Sequence, residues 1–176
     1  VVGGIGSNSI HSGDYFRKNI LINLNVLEAA RLAGVKRLIS FMSTCVFPDN
    51  TVYPLQEINL HNGAPHPSNF GYAYAKRMLE VQSSAYRKEW NCDFIVAIPT
   101  NMYGPNDNYD LNNSHVLPAL LRKFITAKNN HASEVEIWGT GTPLREFLHV
   151  DDLAEACYFL MENYQEEGLV NVGVGT

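Results

Sequence analysis

What this sequence has little of narrows the reading first. Among 176 residues there are three cysteines, Cys45, Cys92 and Cys157, far apart and without a Cys-x-x-Cys. That odd, scattered set disfavours a disulfide framework or a thiolate zinc site and suits a reducing, cytoplasmic compartment. No apolar run approaches the roughly 20 residues that span a bilayer, so no membrane partner is expected. Positive charge is in deficit, with 13 Lys and Arg against 18 Asp and Glu and a formal net charge of −5, which weighs against nucleic acid as a partner. There is no internal repeat and no low-complexity stretch. No secretory leader is visible, although residue 1 is Val rather than Met. The match of Asn112-Asn113-Ser114 to a glycosylation sequon is read as chance.

What is present is organised around Gly71-Tyr72-Ala73-Tyr74-Ala75-Lys76. On a helix Tyr72 and Lys76 are one turn apart on one face, while Tyr74 points elsewhere. A phenol near pKa 10 exchanges protons poorly at neutral pH, and a neighbouring ammonium is expected to lower that pKa. Tyr-x-x-x-Lys at this spacing is therefore an acid–base pair suited to a sugar or alcohol oxygen.

Around it, strand and helix patterns alternate. Residues 1–6 read as the tail of a strand entering a loop. Residues 14–33 read as a helix capped by Asp14 and stopped by Gly34, with apolar positions on more than one stripe, as in a helix buried deeply or shared with a partner. Residues 35–42 form a strand ending at Ser43-Thr44-Cys45, and residues 47–69, with four prolines, a long loop of the kind that is usually functional or disordered. A helix follows over 72–90. The strand at 92–98 carries the unbroken run Phe94-Ile95-Val96-Ala97-Ile98, suited to burial on both faces. After a polar loop at 106–113, Ser114 caps a helix to about residue 128, with Pro118 near its first turn. Residues 135–138 read as a strand, 146–150 as extended, a helix begins at Asp151 or Asp152 and runs to about residue 164, and 169–172 is a last strand. This alternation marks an α/β fold, a parallel sheet with helices on its faces. Ligands of such sheets bind outside the C-terminal strand ends, where Ser43 to Cys45 fall.

Ser43-Thr44-Cys45, Tyr72-x-x-x-Lys76 and Pro99-Thr100-Asn101-x-Tyr103-Gly104-Pro105, in this order and spacing, resemble the extended short-chain dehydrogenases/reductases. Val2-Gly3-Gly4-Ile5, Asn113 to Pro118, Trp138-Gly139-Thr140-Gly141 and Arg145 to Asp152 narrow the resemblance to the epimerase/reductases of GDP-4-keto-6-deoxymannose. It runs over essentially the whole chain. It implies a Rossmann-like doubly wound parallel sheet. Residues 1–113 would hold mainly the latter part of that domain, and 114–176 substrate-binding segments mixed with returning strands. The family's G-x-x-G-x-x-G turn, which cradles the cofactor pyrophosphate at a helix N-terminus, has no match here. The chain is accordingly expected to be an internal segment of the enzyme, incomplete at both ends, and on its own to bind NADPH poorly.

The resemblance also implies a reaction and roles. C3 and C5 of the 4-keto sugar are inverted, then the keto group is reduced with NADP(H). Tyr72 matches the proton donor to the C4 oxygen, Lys76 the residue that holds the nicotinamide ribose and tunes Tyr72, and Ser43 the hydroxyl that polarises that oxygen. Cys45 matches the epimerisation base, which needs a thiolate and hence a lowered pKa or a proton relay. His115 matches the general acid, bordering the nicotinamide. Phe41, Met42, Ser43 and Thr44, with Pro99, Thr100, Asn101 and Met102, match segments around the nicotinamide half of the cofactor; at Met42 other members carry Gly. Lys123, Trp138 and Arg145 match positions that hold GDP, Lys123 standing where some members have the forked contact of Arg. Cys92 and Cys157 are assigned to packing. No metal is expected, since His149, Asp151 and Asp152 on one short segment rarely close a site unaided. A homodimer is implied. The alternatives are a related enzyme on a UDP- or dTDP-sugar, which needs neither Cys45 nor His115, and a cofactor-binding regulator without catalysis.

Overall fold

The run Phe94 to Ile98 has no polar side chain to give to water, and the fold takes all five inside. They belong to β2 (Asp93–Pro99), the middle strand of a three-stranded parallel sheet. The computed structural model describes residues 5–111 and 114–175. In it β1 (Arg37–Phe41) pairs with one edge of β2, Leu38 opposite Phe94, and β5 (Leu169–Val172) with the other, Val96 opposite Leu169. A strand flanked on both edges and buried on both faces stabilises the domain by about 1.5–3 kcal/mol for each large apolar side chain removed from water.

Two long helices flank this sheet, α2 (Ser12–Leu32) and α3 (Phe70–Trp90). They lie side by side. Asn23 Nδ2 donates to the Ala75 carbonyl at 3.1 Å, and the Tyr86 hydroxyl donates to Glu28 at 2.7 Å. Leu27 and Ala30 of α2 and Leu79 of α3 close one core with Met42, Val46, Phe47, Leu60 and β2. The turn Gly34 ends α2 at φ +71°, where glycine is favoured. A later helix, α5 (Val150–Asn163), is tied to the sheet by Arg37, whose guanidinium bonds the Asp93 carboxylate at 2.5 Å and the Met161 carbonyl at 2.6 Å. The parallel sheet with its connecting helices is the α/β arrangement expected from the alternation.

The structure differs from the sequence expectations in places. Residues 1–4 lie outside the described residues, but Ile5–Ile10 is a short helix, α1, rather than a strand tail or loop. Asp14 does not cap α2; it sits in the first turn and pairs forward with Arg17 at 3.4 Å and Lys18 at 2.5 Å, leaving His11 at the cap. His115, not Ser114, occupies the cap position of α4 (Val116–Asn129), without a side-chain cap bond, and Pro118 lies in the first turn. α5 begins at Val150, just before the expected Asp151 or Asp152, and is capped by His149, its Nδ1 accepting from the Asp151 N–H at 3.2 Å. Residues 135–138 form no strand: the Glu136 carbonyl accepts from Lys123 Nζ at 3.0 Å instead of from a ladder. A two-stranded parallel ladder was not foreseen. β3 (Asn101–Tyr103) pairs with β4 (Phe147–His149), Met102 opposite Leu148.

The long loop between β1 and α3 is held. It carries one-turn helices at Thr44–Val46, Glu57–Asn59 and Pro67–Asn69, and Pro48 bridges Pro65. Its far end is pinned by Asn171, whose N–H donates to Glu57 at 2.7 Å and whose amide donates to the Leu55 carbonyl at 2.9 Å.

Candidate functional site

The C-terminal ends of β1 and β2 are adjacent, so Phe41 to Thr44 and Pro99 to Met102 leave the sheet side by side. The Met42 N–H donates to the Ala97 carbonyl at 2.9 Å and the Thr100 N–H to the Val172 carbonyl at 3.0 Å, carrying the sheet bonding past the strand ends. Met42 itself turns into the core. Thr100 is buried, its hydroxyl donating to the Glu146 carbonyl at 2.9 Å, while Asn101 and Met102 are exposed and Pro99 is buried.

Past β1 the chain makes one 3-10 turn, Thr44–Val46, with Ser43 extended at its start and the Val46 N–H returning to the Ser43 carbonyl at 3.0 Å. That turn lifts Cys45 against the first turns of α3. The turn is clamped by Arg77, only 2 % exposed, which donates to the Val46 carbonyl and to the Gly63 carbonyl at 2.7 Å each. Arg77 also lies over the Tyr74 ring at 5.2 Å, and Tyr74 meets Phe70 edge-on at 4.9 Å. Tyr74 is thus engaged away from Lys76, and Tyr72 remains the tyrosine of the site.

The electrostatics correct one expectation. Lys76 does not lower the Tyr72 pKa: its Nζ donates to the Phe41 carbonyl at 2.9 Å. Burial instead pushes the phenol well above its ordinary range, and a negative charge on Cys45 would push it further. Tyr72 is therefore a neutral O–H at physiological pH, in the state of a donor. Burial lowers the Lys76 pKa, opposed by the Cys45 charge. Burial likewise raises the Cys45 thiol, opposed by hydrogen bonds from Ser43, Asn69 and the backbone and by the Lys76 ammonium. Ser43, Cys45, Tyr72 and Lys76 thus form one interacting group at the strand ends.

The remaining predicted residues are spread more widely. His115 is exposed at the cap of α4, with no hydrogen bond to Cys45 or Tyr72 among the described residues. Lys123 stands 5.1 Å from the centre of the Trp138 ring, which is 82 % exposed, so these two meet on the surface. Arg145 is exposed and, among the described residues, bonds its neighbour's carbonyl, Leu144, at 2.7 Å. Two contributors escaped the sequence reading. Arg77 carries no motif that sets it apart from a surface arginine. Asn69, at the end of the loop before α3, makes no cap bond; its side-chain oxygen accepts from Asn8 at 2.8 Å, and the residue favours the Cys45 thiolate against burial.

The family described as the NAD dependent epimerase/dehydratase family matches residues 1–173. A GDP-L-fucose synthase of Dictyostelium discoideum is 47 % identical over 175 residues, covering 99 % of this chain and 54 % of that protein. The GDP-L-fucose synthase of Escherichia coli is 39 % identical over 183 residues, covering 99 % of this chain and 57 % of that protein. A crystal structure of a GDP-L-fucose synthetase from Naegleria fowleri bound to NADP superposes with a TM-score of 0.89 at 40 % identity, covering 99 % of this chain and 57 % of that one. The chain spans about half the length of the curated relatives it matches.

Proposed function

Because the chain belongs to the NAD dependent epimerase/dehydratase family, we propose that the full-length protein converts GDP-4-keto-6-deoxy-D-mannose to GDP-L-fucose, by 3,5-epimerisation followed by NADPH-dependent reduction of the 4-keto group. One observation carries the reading beyond the family: Cys45 shares the strand-end site with Ser43, Tyr72 and Lys76 and is coupled to both of the last two. Reduction alone needs a hydroxyl, a phenol and an ammonium. A thiol among them supplies what inversion next to a ketone needs, a base for an acidified C–H.

In this reading Cys45, as thiolate, takes the proton from carbon while the C–H electron pair moves onto the 4-keto oxygen. His115 returns a proton to the opposite face, brought up to the site with bound substrate. Ser43 hydrogen-bonds the C4 oxygen throughout. The neutral Tyr72 O–H then gives its proton to that oxygen during reduction. NADPH, when bound, supplies the hydride. The donor set fits it: Lys76 is half-buried with its amine at the Phe41 carbonyl, and Asn101 and Met102 are open beside the same crevice. Phe41 to Thr44 and Pro99 to Met102 would then border the nicotinamide, Met42 and Thr100 by supporting the backbone. Lys123, half-buried on α4, and the exposed Trp138 and Arg145 after it would take the GDP diphosphate and base.

The same reading makes the protein a cytoplasmic homodimer joined through α2 and α3. In it residues 1–113 hold mainly the latter part of the Rossmann domain, and 114–176 are divided between substrate segments and returning strands. The test is an assay of the full-length protein with GDP-4-keto-6-deoxymannose and NADPH, with the product sugar identified by NMR. GDP-L-fucose is expected; an unepimerised 6-deoxy sugar, or turnover of a UDP- or dTDP-sugar in preference, overturns the reading.

A further inference from the structure

An arginine is almost never taken fully inside a protein unless its partners require it there. Arg77, which follows Lys76 on α3, is 2 % exposed. Its hydrogen-bond partners among the described residues are carbonyls, not carboxylates: Nε donates to Val46 and Nη1 to Gly63, at 2.7 Å each. A planar guanidinium fixes the angle between two such bonds, which an ammonium cannot do. Val46 is the last residue of the turn Thr44–Val46 that carries Cys45, and it is wholly buried. The start of the same stretch is held as well, by Lys76 donating to the Phe41 carbonyl at 2.9 Å. Two consecutive cations of α3 therefore grip the stretch from Phe41 to Val46 at its two ends. Ser43 lies nearer the Lys76 end, and Cys45 is next to the Arg77 end. The second arm of the fork, at Gly63, draws the long loop against the same turn, close to where Pro48 bridges Pro65.

We propose that Arg77 is a positioning residue for Cys45: its forked donation to Val46 and Gly63 locks the turn Thr44–Val46 onto α3, and so fixes where the thiol stands relative to Tyr72 and Lys76 of that helix. The consequence for catalysis rests on the reading of Cys45 as the epimerisation base; the clamp on the turn does not. A reacting group misplaced by about 1 Å can lose about 10²-fold in rate. A base carried on a three-residue turn therefore depends on what holds that turn. Tyr72 and Lys76 are placed by α3 itself, and Lys76 keeps its own bond to Phe41. Loosening the Arg77 end should then disturb proton abstraction from carbon more than proton delivery to the C4 oxygen.

The test uses the full-length protein with Arg77→Lys and Arg77→Met. Lysine keeps the cation but replaces the fork by a single ammonium, and methionine keeps an unbranched side chain without donors. The first readout is the rate of alkylation by iodoacetamide at a pH where both thiols are ionised, resolved by peptide mass spectrometry, at Cys45 relative to Cys157 on α5. Loss of hydrogen bonds from a charged group should open the turn, so that Cys45 gains about fivefold or more over Cys157 in Arg77→Met and less in Arg77→Lys. The second readout sets solvent deuterium uptake at C3 and C5 of the substrate without NADPH against reduction of an already epimerised 4-keto sugar. Uptake should fall about tenfold or more in both variants, while reduction stays within about threefold. A merely structural role would lower the two half-reactions by the same factor. Equal losses in both halves, or a ratio of Cys45 to Cys157 alkylation unchanged from wild type, overturn the proposal, and Arg77→Lys decides it where Arg77→Met does not fold. A Cys45→Ser protein that exchanges at the wild-type rate overturns the base reading instead, a different result from a different variant.

Discussion

The Tyr72 phenol and the Cys45 thiol share one environment, and in the proposed function they are asked for opposite chemistry, so substitution at each should separate the two halves of the proposed reaction. Tyr72→Phe removes only a hydroxyl and should suppress NADPH oxidation by about 10²-fold or more, while substrate in deuterated water still takes up label at C3 and C5. Cys45→Ser leaves a hydroxyl too weak to act as a base at neutral pH. It should abolish that uptake and send any remaining reduction to an unepimerised product, which mass spectrometry with and without NADPH distinguishes. A titrating group away from the site gives a check on stability. Arg31 and Tyr86 hydrogen-bond Glu28 and hold its carboxyl down to about 2, from an ordinary 4.5. A lowered carboxylate stabilises the fold fully above its unfolded value, and the contribution is lost as pH falls from there toward the folded one. Wild type should therefore melt above Glu28→Gln at pH 7, and the gap should close between about pH 4.5 and 2. A gap that persists at pH 2 would assign the effect to packing against Tyr86.

Where α2 and α3 begin, their backbones come closer than side chains allow. The Gly71 N–H donates to Ser12 Oγ at 3.2 Å, and a Cβ at Gly71 would run into the Ser12 carbonyl oxygen. Gly13, one residue on in α2, faces open space. Gly71→Ala should then destabilise by about 1–3 kcal/mol, as overpacking does, and Gly13→Ala should be neutral or stabilising by up to about 1 kcal/mol, as Gly to Ala is inside a helix; paired thermal melts read both. This contrast shows what the sequence conveys and what it does not. The long elements were legible because their own residues dictate them: Phe94 to Ile98 for β2, the periodic Leu27 and Ala30 for α2, the Tyr72/Lys76 spacing for α3. The motif residues Ser43, Cys45, Tyr72 and Lys76 were legible for the same reason, being local in the chain. Less legible was whatever depends on a distant partner. The ladder of Asn101–Tyr103 with Phe147–His149 needs two segments that are each too short to announce a strand. Val135 to Trp138 has strand composition but no strand beside it. The upward shift of Tyr72 comes from burial, which the Tyr-x-x-x-Lys spacing does not encode, and the turning of Asn69 away from its cap depends on Asn8, 61 residues earlier.

At the scale of the molecule, the question is what covers α2. Its core side buries Asn19, Asn23, Leu27 and Ala30, and its far side leaves Leu21, Ile22 and Val26 about half exposed, as is Val81 of α3. Several exposed apolar side chains on one helix mark a candidate interaction site. A pair of parallel helices on one face, meeting its own copy across a twofold axis, closes into a four-helix layer without leaving an edge for further growth. That supports α2 and α3 as the proposed dimer interface over α4, whose exposed Leu121, Phe124 and Ile125 form the competing apolar face. Ile22→Glu with Val26→Glu places two charges on each copy at that interface and touches none of the buried positions of α2. The full-length protein is expected to sediment as a dimer at micromolar concentration, and the doubly substituted protein as a monomer with an unchanged far-ultraviolet circular dichroism spectrum. If the substituted protein stays dimeric while Phe124→Glu dissociates it, the interface lies on α4. If the unsubstituted protein is already monomeric, the apolar stripe on α2 faces something other than a second copy of this chain.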